Sequence, residues 1–150
     1  MTTFAIALHA IAAVALIGPV MVATSMFPAQ LAQGNVGALT ILHRITNTYG
    51  LISALVPILG VAVFLSDLST YGRQGQFHAS ILLAVIAWAL LLFVVVPKQK
   101  AALTALGVES AESADAPSAP TSLDKSRSQL AMFSGIFNLL WILCAVLMFI

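Results

Sequence analysis

A chain of 150 residues with 61% hydrophobic and only 7% charged side chains cannot cover its outside with polar groups. A soluble domain carries roughly 25% charge, so this composition, with a mean hydropathy of +1.05, makes lipid the expected solvent. The net charge of +1 excludes nucleic-acid binding through a basic stripe, and the single Cys144 excludes an intrachain disulfide.

A helix needs about 20 apolar residues to cross a bilayer core. Four stretches meet that length: residues 4–27, 45–66, 77–96 and 130–150. The first is longer than the apolar core of a secretory leader and has no Lys or Arg before it, so it is expected to be retained as a span. Backbone groups in lipid must bond within their own segment, and runs of this length fit helices rather than barrel strands. The expected fold is all-α, a polytopic membrane protein built as one antiparallel bundle of four transmembrane helices over residues 1–150.

Within the first span, Gly18-Pro19 is a breaker that tends to kink the helix. The connection after it, "PAQLAQGNVGALTILHR", changes character at Gly34-Asn35, a turn signal. Val36, Leu39 and Leu42 then follow at helical spacing, so the second helix is expected to begin before the lipid core. Pro57 lies in the middle of that span. The next connection, "DLSTYGRQGQ", is short and punctuated by glycine. The last, residues 107–128, is rich in Ser, Ala and Pro, a composition that cannot pack a core.

The connections also orient the chain. Arg44, Lys98, Lys100, Lys125 and Arg127 fall on one side, and Arg73 alone falls on the other with the termini. Cytoplasmic loops carry the excess of Lys and Arg. Both termini are therefore expected outside the cytoplasm of the cell membrane, and the 107–128 loop inside.

Depth sorts the three histidines. His9 and His78 lie near the outer ends of the first and third spans, whereas His43 lies at the cytoplasmic end of the second, most of a ~30 Å hydrocarbon layer away. His9 is flanked on its own face by Ala5, Ala12 and Ala13, which permit close helix packing and also leave room for a flat group. One reading makes His9 and His78 a cofactor-binding pair for haem, with Gly60 beside them and Arg73 for a propionate. A second uses Cys144 and Met148, four apart on the fourth helix, as soft ligands for Cu(I) with either histidine. The plain reading makes His9 a neutral, hydrogen-bonded packing residue with no cofactor.

At the other end Thr46, Asn47, Thr48 and Tyr49 form a polar collar after His43-Arg44, and Ser134 and Asn138 are placed to bond it across the bundle. No acid or lysine interrupts a span, so a proton relay or ion pathway has no carriers. The acids lie in connections, so no nucleophile–base pair or carboxylate pair can be built, and no catalytic residue is expected.

The stretches "LHAIAAVALIGPV", "ILHRITNTYG" and "FHASILLAVIAW" resemble small four-helix integral membrane proteins of unknown function, in the broad grouping around the copper-resistance D proteins and the membrane-type protoporphyrinogen oxidase. The resemblance covers the chain outside the Ser/Pro-rich loop. In the oxidase group a histidine early in the first helix and a lysine in the third attend haem or substrate. His9 matches that histidine, and the third helix here has no lysine. In the copper-resistance group the implied role is copper passage, with His9 as the matching position.

The sequence thus leads to a non-enzymatic integral membrane accessory subunit of a larger membrane complex, with a respiratory cytochrome complex as the expected setting. The competing reading is an independent haem- or copper-handling membrane protein using His9 and His78.

Overall fold

The structure, a computed structural model, describes residues 2–108 and 123–149; residues 109–122, the middle of the Ser/Ala/Pro-rich stretch, lie outside them. Among the described residues seven α-helices follow one another: α1 Thr2–Gln33, α2 Val36–Ile52, α3 Leu55–Ser66, α4 Leu68–Tyr71, α5 Gly75–Leu90, α6 Val96–Ala105 and α7 Leu123–Leu147, with a π-helical turn at Leu91–Val95 joining α5 to α6. No strand occurs among the described residues. The elements combine into four helices long and apolar enough to cross a membrane. Helix I is α1, helix II is α2 with α3, helix III runs from α5 to α6, and helix IV is α7.

Each helix reaches beyond its apolar run. Helix I continues to Gln33 and helix III to Ala105, while helix IV begins at Leu123 rather than near 130. Hydropathy marks the part of a helix that lipid would cover, whereas hydrogen bonding carries the helix past that boundary.

The turn between helices I and II is two residues long. Gly34, at φ 65°, closes α1: its N–H bonds the Leu31 carbonyl and the Asn35 N–H bonds that of Gln30, at 3.2 Å each. This is the left-handed C-terminal cap that glycine adopts without a Cβ penalty. Asn35 then starts α2 by accepting the Ala38 N–H on its side chain. Gly107 (φ 81°) ends α6 in the same way, with bonds from Gly107 to Thr104 and from Val108 to Leu103.

Proline acts unevenly. Helix α1 continues without interruption through Pro19 and Pro28. Helix II does break, at Ser53–Ala54, four residues before Pro57. Pro57 cannot donate to Ser53 and its ring crowds that carbonyl; the Ser53 carbonyl instead takes the Val56 N–H at 2.9 Å. The Ala54 N–H turns to Leu51, and the Gly50 carbonyl is satisfied by the Ser53 hydroxyl at 2.7 Å and the Trp88 indole N–H at 3.0 Å. In helix III the π turn lies just before Pro97, and the Val96 N–H reaches back five residues to Leu91. The widened turn absorbs the clash that Pro97 would make with the Phe93 carbonyl.

Helix I packs against II and IV, and helix III packs against II and IV, so the four form a closed ring. Bonded residues run in opposite order on neighbouring helices: 43 with 99 but 50 with 88, and 80 with 144 but 98 with 129. The interior combines Val20, Phe27, Leu39, Leu91, Leu130 and Phe137 with fully buried Thr24, Thr46, Ser53 and Gln99. The outside is apolar: Phe93 is 76% exposed and Gln99 is 0%. Water would reverse that preference; hydrocarbon requires it.

Candidate functional site

Two polar constellations occupy opposite ends of the ring. At the end where helix II starts, His43 Nδ1 lies 3.2 Å from Gln99 Oε1, and the Gln99 amide donates to the Thr46 hydroxyl at 3.4 Å. Thr46 donates in turn to its own Leu42 carbonyl. Lys98, one residue before Gln99, donates to Gln129 of helix IV at 2.8 Å and stands 5.6 Å over the Phe133 ring. This end gathers the start of II, the end of III and the start of IV, and with them Arg44, Lys98, Lys100, Lys125 and Arg127.

Of the collar expected at Thr46, Asn47, Thr48 and Tyr49, Thr46 alone is buried, with Gln99 of helix III as its partner, and the other three are exposed. Asn138 donates instead to Ser25 of helix I at 2.7 Å, and the buried Ser134 hydroxyl has no partner. Helices II and IV face each other across the ring, with I and III between them, which removes the contact that a linear reading supplies. In sequence Gln99 looks interfacial, because it is a glutamine that follows an apolar run. A signal was present: Leu91, Val95, Gln99, Ala102 and Leu103 form one helical stripe, and all are buried.

At the opposite end the ring is not filled. A cavity of about 380 Å³ lies among the helices, walled by Ala13, Ile17, Met21, Pro57, Ala84 and Trp141, and a second of about 300 Å³ is walled by Val63, Phe64, Tyr71 and Phe77. His9, Gly60, Ser80, Ile81 and Met148 belong to both walls, so they form the neck between them. His9 Nδ1 lies 3.1 Å from the Val56 carbonyl. A carbonyl only accepts, so Nδ1 carries the hydrogen, and the neutral ring leaves its Nε2 lone pair as an acceptor. Gly60 permits this approach: a Cβ there would stand 3.0 Å from His9 Cε1.

His78 is placed differently. It is exposed, its Nδ1 lies 3.3 Å from the Gln74 carbonyl of its own helix, and its ring meets Phe64 edge-on at 5.1 Å. It lines neither cavity, so the walls take His9 and not the His9–His78 pair. Cys144 and Met148 do share the larger cavity with His9, and the Cys144 thiol donates to the Ser80 carbonyl at 3.5 Å. No group of three His, Cys, Asp or Glu side chains among the described residues is arranged to hold a metal ion.

No family model, curated protein or solved structure matches this chain.

Proposed function

We propose that this protein is a non-enzymatic integral membrane subunit that crosses the bilayer four times and acts by associating with a larger membrane complex. The observation that carries this reading is how the interior polarity is used. Gln99, Trp88, Asn138, Lys98 and His9 each bond a neighbouring helix. Such bonds contribute about 1 kcal/mol apiece and set register. The acids among the described residues, Asp67 and Asp124, stand at the start of α4 and in the first turn of α7. What remains for function is the outer surface, apolar on all four helices, together with the cavities at the His9 end.

The positive-inside bias supports an orientation with both termini outside the cytoplasm and the Lys98–Gln129 end facing it. Blue-native electrophoresis of membranes dissolved in mild detergent tests the association. The protein should migrate in a band far heavier than a 15.7 kDa chain in its micelle, with a constant set of partners. Coincidence with haem-stained bands is the result that assigns the complex to a respiratory chain. Migration as a free monomer contradicts the reading.

A further inference from the structure

The cavity pair at the His9 end is more than a packing defect, because its shape, its opening and its polarity agree. Along helix I the larger cavity extends from His9 to Met21, twelve residues, or about 18 Å of helix. It is therefore long rather than disc-shaped. Val14 and Ile142, both on its wall, are 77% and 52% exposed, so it opens sideways between helices I and IV. In a bilayer that opening faces acyl chains. The smaller cavity continues past the neck toward the short connection, and Tyr71 brings a phenol to its wall.

Polar capacity at the neck itself is nearly all used, while farther along the larger cavity the Trp141 indole N–H is buried without a partner. The Ser80 hydroxyl donates to Gln76, the Cys144 thiol donates to Ser80, and His9 Nδ1 donates to Val56. His9 Nε2 has no such partner and is an acceptor. A group that enters here gains most by presenting a hydrogen-bond donor to Nε2 while keeping an apolar tail in the larger cavity.

We propose that the cavity pair binds a single-chain lipid-like alcohol, its hydroxyl donating to His9 Nε2 at the neck and its chain running between helices I and IV toward Met21 and Trp141. A charged headgroup is disfavoured, because no counter-charge stands on either wall. The inference is independent of whether the protein sits in a complex.

The probe is 10-bromodecan-1-ol, compared with its methyl ether, which keeps the tail and the bromine and loses the donor. Trp141 lines the larger cavity and Trp88 lines neither, so bromine quenching of Trp141 fluorescence reports occupancy. For the intact protein in micelles, quenching by the alcohol should saturate, at several-fold lower concentration than quenching by the ether. His9→Phe should bring the alcohol to the ether's level, His9→Gln, which keeps an acceptor, should restore part of the difference, and Trp141→Phe should remove the signal. Ala145→Phe, at the exposed mouth, should suppress quenching by both compounds. Equal quenching by alcohol and ether in the unaltered protein overturns the assignment of His9. Unsaturable quenching that Ala145→Phe leaves unchanged overturns the site itself.

Discussion

The two ends of the ring use the same residue type for opposite purposes. His43 joins a closed chain of partners through Gln99, Thr46 and the Leu42 carbonyl, and lines neither of the two cavities. His9 makes one bond, to Val56, and stands at the neck of two cavities. A histidine inside a membrane helix is thus not one signal. Its meaning is set by whether the neighbouring helix offers one partner or a network, and by whether a bulky side chain or a glycine faces its ring.

That contrast fixes an order of effects. Gln99→Leu should do the most damage. It removes both bonds of a fully buried side chain and leaves His43 without its partner, a loss of about 1–3 kcal/mol. Thermal unfolding in detergent measures it, and a loss no larger than that of a surface change would mean the closed end is not held by its network. Trp88→Phe comes next, at about 1 kcal/mol for one interhelical bond. The Gly50 carbonyl keeps the Ser53 hydroxyl, so the break in helix II should survive; a new amide-exchange pattern across 50–57 would show otherwise.

His9→Phe should cost less again, about 0.6 kcal/mol by the same scale for a single part-buried bond. A cost equal to that of Gln99→Leu would erase the difference between the two ends. The smallest effect belongs to Asp67, at the open end outside the apolar helices. Its carboxylate takes the Ser69 hydroxyl at 2.7 Å and the Thr70 N–H at 3.1 Å, and these bonds hold its pKa below the ordinary 3.8. The stabilisation is therefore full at neutral pH and is lost as the pH falls below 3.8 through the folded-state value. Asp67→Ala should lower the melting temperature slightly at pH 7 and not at all at the acid end of that titration.

The sequence makes some of this architecture plain and hides the rest for physical reasons. Four apolar runs reveal four long helices, because lipid demands about 20 apolar residues per crossing. Gly34-Asn35 reads directly as a turn, since a left-handed residue followed by a side-chain cap is a local event. The helix ends are not legible from hydropathy: α6 continues through Lys98, Gln99 and Lys100. The effect of proline depends on tertiary contacts, so Pro19 and Pro57 look alike in sequence and differ in outcome. Depth along the spans already sets Gly60 beside His9, but the contact of its backbone with the ring emerges only when helices I and II pair, whereas the separation of His78 from the cavities follows from its local turn and Phe64.

One measurement bears most directly on the claim that this is a cofactor-free subunit whose histidines serve packing and lipid contact. The protein purified from its native membrane, without added haem or metal, should give a visible absorption spectrum with no Soret band and a copper content far below one ion per chain. A stoichiometric Soret band that disappears with His9→Phe, or one copper per chain lost with Cys144→Ala, would contradict the account and restore His9 to cofactor chemistry.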